Sequence, residues 1–259
     1  MTFEIIDFHT HPFLDDAGNI CQHQSVLSLH PEQIKAQMQA LGISKICGSV
    51  IRRKIGEETD WQRLKRANED ALRLRERLGD FYIPGFHAHP DHVEDSIREI
   101  ERMHKEGIRL LGELVPYSSG WSENAAKGLS LLLDEAEKYN MVVSFHTDET
   151  YMTDDMIRRH KNLTFVAAHP GEYPGLMRHI ERAKISENYY LDLSGTGLFR
   201  YGTLYRAVKE MGADHILFGT DYPICTPGMY IGGVLYDPYL SDSEKALILS
   251  GNARRLLEL

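Results

Sequence analysis

The sequence predicts an α/β chain closed into a (β/α)8 TIM barrel, and three observations carry that expectation. Eight short apolar, β-branched segments alternate with longer stretches of helical period, the pattern of βα units that build a parallel sheet. The length of 259 residues is close to the ~250 of one such barrel. No low-complexity linker, composition break or internal repeat divides the chain, so residues 1–259 are read as one domain.

The strand candidates are 3–9, 45–51, 81–87, 108–114, 141–147, 163–168, 189–194 and 215–220. Helix candidates lie near 31–41, 60–78, 91–106, 123–139, 153–160, 175–186, 201–211 and 242–257. Pro31 precedes Glu32 at the first helix, and Ser241 with Glu244 makes a capping-box pattern at the last. An open doubly wound sheet more often has five to seven strands, so eight favour closure. Segment 12–30, with Asp15, Asp16, Gly18 and Asn19, is long for a βα loop. In a barrel it would hang over the rim that carries active sites.

Composition narrows the function. With 42% hydrophobic and 26% charged residues, the chain can bury a sizeable core without disulfides. A net charge of -9 argues against a nucleic-acid partner, and the basic runs at 63–66 and 73–78 have acidic residues among or beside them at helical spacing. No run approaches the ~18 apolar residues of a membrane span, and no signal-peptide pattern opens the chain. The expectation is a cytoplasmic protein that binds a small molecule, without nucleic acid or membrane, and with room for a homo-oligomer. Cys21, Cys47 and Cys225 are widely spaced and read as reduced thiols.

Histidine is the unusual residue, at 13. His9 and His11 close the first strand in IIDFHTH and, two apart, point to the same side. VVSFHT ends the fifth strand on His146, TFVAAHPG the sixth on His169, and ILFGTDYP the eighth on Asp221. In a parallel barrel these C-terminal strand ends converge on one rim, where imidazoles and a carboxylate suit zinc and neighbouring divalent ions.

From DFHTHP through FHTDE, AAHPG, LDLSG and FGTDYP to GNARRLLEL, the chain resembles the amidohydrolase superfamily, in particular its amidohydrolase-related branch. That branch includes aminocarboxymuconate-semialdehyde decarboxylase-like proteins. The resemblance implies metal ligation by His9, His11, His146 and His169, and a proton-shuttling metal ligand in Asp221. It also draws attention to Glu113 in IRLLGELVPY, where members with two metals place a bridging carboxylate. Glu113 either bridges two ions or pairs with a cation such as Arg109.

The cofactor expected is one or two divalent ions, Zn2+ first, with two if Glu113 bridges. Two ions among neutral imidazoles, Glu113 and Asp221 would leave about +2 of charge, which favours a bound hydroxide. The leading expectation is therefore a hydrolase of a lactone, amide or ester-like bond, with Asp221 and His169 as catalytic groups. The alternatives are a non-oxidative decarboxylase of a small unsaturated or aromatic acid, a phosphoesterase, and a barrel that binds without turnover. His87 and His89, in GFHAHPD, read as substrate contacts or as structural residues. Tyr117, Arg200 and Tyr222 complete the substrate-binding candidates, with Arg52, Arg53 and Trp121 behind them. Asp192 and Ser194 read as pocket groups or partners behind the ligands, and so do Asp148 and Glu149 unless they start a helix.

Overall fold

The computed structural model describes residues 3–21, 29–147 and 150–259. Its strands are β1 (Ile5–Asp7), β2 (Ile43–Ser49), β3 (Tyr82–Phe86), β4 (Leu110–Leu114), β5 (Val142–His146), β6 (Thr164–Ala168), β7 (Tyr189–Asp192) and β8 (Ile216–Leu217). They form one sheet in chain order, parallel at every ladder. Bonds just beyond the strands close it. Phe8 N donates to Phe218 O (2.9 Å), Asp221 N donates to His9 O (2.8 Å), and Thr10 bridges Tyr222. The fold is the predicted (β/α)8 barrel.

Strand parity sorts the apolar residues into two layers. Ile6, Cys47, Ile83, Leu110, Val142, Val166, Tyr190 and Leu217, one from each strand, cluster with Leu256 and Leu257 of the last helix. Eight strands can meet at one point only inside a closed barrel, so this cluster is the barrel interior, and the last helix plugs the end opposite the rim. Their strand neighbours, such as Ile5, Ile46, Leu111, Val143, Phe165 and Ile216, belong to the larger core under the helices.

The helices are α1 (Pro31–Ala40), α2 (Asp60–Leu78), α3 (Val93–Lys105), α4 (Pro116–Ser119), α5 (Ala125–Lys138), α6 (Asp154–Arg159), α7 (Tyr173–Ile185), α8 (Thr203–Met211), α9 (Pro227–Leu235), α10 (Asp242–Ala246) and α11 (Asn252–Leu257). α2 starts where Thr59 accepts from Gln62 N, with the Gln62 side chain returning to Thr59 N. The Ser241 and Glu244 capping box is present at α10.

Three expectations are corrected. β8 is shorter than 215–220, because Phe218 N turns to Ile248 O (2.9 Å) and Thr220 turns to Asp7. The helix expected over 242–257 is broken by a π-helical turn at Leu247–Gly251, after which Asn252 Nδ2 donates to Ala213 O and Ile216 O. α4 and α9 are additional to the predicted set.

In segment 12–30, Asp15 accepts from Gly18 N (3.0 Å) and from Arg52 (2.8 and 3.2 Å), while residues 22–28 lie outside the described residues. Asp148 and Glu149 lie outside them as well. Among the described residues no helix is long and apolar enough to cross a membrane.

Candidate metal centre

The strand ends bring His9, His11, Glu113, His146, His169 and Asp221 to one place. His9 Nε2 lies 3.2 Å from His11 Nε2, and each is 3.5 Å from Glu113 Oε2. Asp221 Oδ1 lies 3.8 and 3.5 Å from the same two nitrogens. Four ligands ~2.0–2.2 Å from a tetrahedral ion stand about 3.3–3.6 Å apart, so these donors already have the spacing of a first-row coordination shell. The other oxygen of Glu113 faces a second group, with Oε1 3.0 Å from His146 Nδ1 and 3.6 Å from His169 Nε2. The Arg109 pairing is excluded, because Arg109 reaches Glu258 and Asn140 O instead.

The ligand rings are held from behind, which fixes the nitrogen each presents. His9 Nδ1 donates to Asp192 Oδ2 (2.8 Å), and His11 Nδ1 donates to Ser49 O (3.0 Å). Ser194 Oγ donates to Asp192 Oδ1 and accepts from His169 Nδ1 (3.0 Å), which leaves His169 Nε2 facing Glu113. His169 and Asp221 have φ of +69° and +63°, turning each chain sharply at its strand end. A Cβ at Gly219 would stand 2.8 Å from that of His9, so only glycine lets β8 pass this close.

Two buried residues that the sequence reading passed over complete the frame. The Asp7 carboxylate accepts from His9 N (3.3 Å), Thr220 N (3.0 Å) and Thr220 Oγ1 (2.6 Å), joining the strands that end on His9 and Asp221. Burial pushes its pKa up to about 7 against those bonds. Asn68 of α2 accepts from His87 N (2.8 Å) and donates to His87 O (3.0 Å) and Glu99 (2.9 Å). A charged residue in an otherwise apolar strand was the available signal for Asp7.

Electrostatics match a cation site. Burial opposes charge on His9, but the Asp192 and Glu113 carboxylates outweigh it and hold its pKa well above the ordinary value. Glu113 is held well below its usual range despite burial, by the charge of His9 and bonds from His11, His146 and His9. Burial raises Asp221, opposed by His9, His11 and His169.

The substrate-binding candidates separate. Tyr117 is exposed and packs edge-on to His146, 5.4 Å between ring centroids. His87 is buried with Nε2 on Val50 O (2.8 Å), and burial lowers its pKa to about 4, so it is a neutral imidazole. His89 uses both nitrogens, Nε2 donating to Ser119 O and Nδ1 accepting from Asp91 N, which makes it a structural tie. Arg200 is an exposed partner of Glu172 (2.6 Å). Tyr222 follows the left-handed turn at Asp221 (φ +63°) and lines a cavity with Phe13, Cys21 and Leu41 that none of the six cluster residues lines. Arg52 is held by Asp15 and Asp70, and Arg53 donates to Ile20 O.

A family model described as Amidohydrolase matches residues 6–259. The chain belongs to the amidohydrolase family. The superfamily resemblance drawn from the strand-end motifs is thereby borne out, and the family is one of enzymes. This amidohydrolase is 34% identical over 88 residues to a gamma-resorcylate decarboxylase of a Polaromonas species, 34% of this chain and 26% of that protein. The match thus spans about a quarter of the length of the curated relatives. Among solved structures, it superposes on an uncharacterized TIM-barrel protein of Bordetella bronchiseptica at a TM-score of 0.73, 23% identity and 98% coverage of both chains. It also superposes on a Polaromonas dihydroxybenzoic acid decarboxylase with bound manganese and 2-nitroresorcinol, at a TM-score of 0.69 and 18% identity, covering 99% of this chain and 97% of that one.

The names of these relatives overturn the expectation of hydrolysis, whether of a carbonyl compound or of a phosphoester. Decarboxylation is favoured over it. Glu113 does not carry the distinction assigned to it, because a carboxylate between two donor groups offsets cation charge equally well for a hydroxide or a substrate carboxylate. The donor set suits a divalent ion in general and does not single out zinc.

Proposed function

We propose that this amidohydrolase is a metal-dependent, non-oxidative decarboxylase of a small aromatic or unsaturated carboxylic acid. The observation that carries the reading is the decarboxylase name shared by the curated relatives, set on a buried donor cluster suited to divalent ions. His9, His11, Glu113 Oε2 and Asp221 would hold one ion, and Glu113 Oε1 with His146 and His169 a second, manganese or zinc. A bound divalent ion supplies positive charge that fixes the substrate carboxylate and a neighbouring oxygen and draws electron density from the breaking bond.

The chain's own residues then set geometry and protons. Tyr117 offers a ring face and hydroxyl at the mouth, beside His146. As the carbon–carboxylate bond breaks, its electron pair stays on the substrate carbon and CO2 departs. That carbon takes a proton delivered through Asp221, and solvent returns the proton to Asp221. Asp192 and Ser194 keep His9 and His169 in the tautomers that turn Nε2 inward.

The test is to incubate metal-replete protein with 2,6-dihydroxybenzoate and a panel of aryl and enoic acids, following CO2 release. Chelation should abolish release and manganese or zinc restore it. Turnover of lactones or esters with no CO2 from any acid would overturn the reading.

A further inference from the structure

The second donor group of the metal centre, His146 and His169 around Glu113 Oε1, is held differently from the first. His9, His11 and His169 each have a hydrogen-bond partner behind the ring, in Asp192, Ser49 and Ser194. Among the described residues, nothing hydrogen-bonds the His146 ring except Glu113 Oε1 (3.0 Å), and the Tyr117 and His169 rings pack edge-on to it. Its place is therefore set by its backbone at the end of β5.

That strand end is tied to its neighbour by His179 of α7, which is 1% exposed. The ladder between β5 and β6 stops at the pair His146 and Ala168. One residue further, Thr147 Oγ1 donates to Ala168 O (3.3 Å), which leaves its lone pairs to face His179 Nε2 (3.4 Å). Nε2 then carries the ring proton, and Nδ1 accepts from the Tyr189 hydroxyl (2.9 Å) at the start of β7. Burial lowers the His179 pKa to about 4, so the ring is neutral at pH 7, as this order of donors requires. Arg182, beside the Tyr189 hydroxyl, is itself fixed by Asp154 (3.0 Å) and Met152 O (2.9 Å). The His179 ring also hydrogen-bonds the backbone of His169, where φ is +69°.

We infer that His179 is a positioning residue for the second ion. Through Thr147 and the His169 backbone it ties the ends of β5 and β6 one step beyond their ladder, and so sets the spacing at which His146 and His169 face Glu113 Oε1. The inference rests on the two-ion reading above. It is selective, because among the described residues the first group is held by other contacts, Asp192 behind His9 and Ser49 behind His11. Outer hydrogen bonds of this kind fix ligand orientation and affinity without touching the metal.

The test is calorimetric titration of chelator-stripped protein with Mn2+ alone, on the wild type, His179→Leu, His179→Gln and Thr147→Val. Electron paramagnetic resonance reads the coupled Mn2+ pair that Glu113 would bridge. Loss of an outer partner weakens metal binding 10- to 100-fold. The wild type should bind two ions. In His179→Leu and Thr147→Val one site should weaken about tenfold or more, with the other within twofold of the wild type and the coupled signal lost at equal Mn2+. His179→Gln should weaken that site less than His179→Leu, because its amide nitrogen keeps a donor toward Thr147 Oγ1. Thr147→Val preserves side-chain shape and decides the question if His179→Leu does not fold. Two sites weakened alike, no site weakened beyond twofold, or a wild type that binds one ion overturns the inference. No substrate enters these titrations, so the inference can fail while CO2 release stands, and the reverse.

Discussion

Asp192→Asn perturbs the group that decides which nitrogen His9 presents to a metal. Asp192 is fully buried. Its Oδ1 accepts from Ser194 N (2.9 Å) and from Ser194 Oγ, while Oδ2 accepts from His9 Nδ1 (2.8 Å). An asparagine keeps the two Ser194 bonds by leaving its oxygen at Oδ1, so its amide nitrogen replaces Oδ2 and becomes a donor toward His9. The ring then accepts on Nδ1 and moves its proton to Nε2, where it blocks ligation beside His11. Loss of such a partner costs 10- to 100-fold in metal affinity, about 1.4–2.7 kcal/mol.

Calorimetric titration with Mn2+ or Zn2+ reads this directly, and repeating it in buffers of different ionisation enthalpy counts protons. In the wild type, Asp192 and Glu113 keep His9 protonated against its burial, so an incoming ion displaces that proton. With one of the two carboxylates gone, fewer protons should be released at pH 7. An Asp192→Asn protein that melts like the wild type, yet binds metal within twofold of it, would refute the tautomer argument.

Other consequences follow from the same frame. Metal affinity should fall as pH is lowered toward ~6, by up to about tenfold per pH unit for each displaced proton, because Asp192 and Glu113 hold His9, and Glu113 holds His146, above the ordinary imidazole range. A flat profile in competition with a chromophoric chelator would contradict this. Asp221→Asn should lower kcat at least ~10²-fold while the histidines retain most of the metal, measured by steady-state rates and elemental analysis. Near-normal turnover would remove Asp221 from proton transfer. Asn68→Ala should lower unfolding free energy by about 3 kcal/mol in urea melts, since it strands His87 N and O and leaves Glu99 without the amide. A loss under 1 kcal/mol would mean these groups find other partners.

The clustering of the candidate ligands was legible because each polar residue ends an apolar run, and a parallel barrel turns that one-dimensional position into a shared place. α2 runs over 60–78 as its helical period predicts, and the structure shows Thr59 and Gln62 capping its start reciprocally. Beyond the ligands, legibility fell with distance from the strand axis. Tyr222 follows Asp221 in sequence, but the chain turns at Asp221 (φ +63°) and Tyr222 lines a neighbouring cavity, a placement that proximity in the chain does not reveal. The HxH of His87 and His89 looks like that of His9 and His11. Only their environments differ, since backbone carbonyls and the Asp91 amide occupy the former pair. α9 hid behind Gly232 and Gly233, whose poor helix propensity is overridden by burial of Tyr230, Ile231 and Val234. Hydrolysis was inferred from Glu113, yet one donor set serves either chemistry, and no residue spacing distinguishes them.

The central claim, loss of CO2 with protonation at the same carbon, is tested most directly in D2O. Metal-replete protein is given 2,6-dihydroxybenzoate or the best acid of the panel with a 13C-labelled carboxylate, and the products are read by NMR and mass spectrometry. The account predicts one 13CO2 per turnover and a single deuterium on the carbon that bore the carboxylate, both lost on chelation. Turnover that leaves the labelled carboxylate in the product, or that proceeds unchanged without metal, would contradict it.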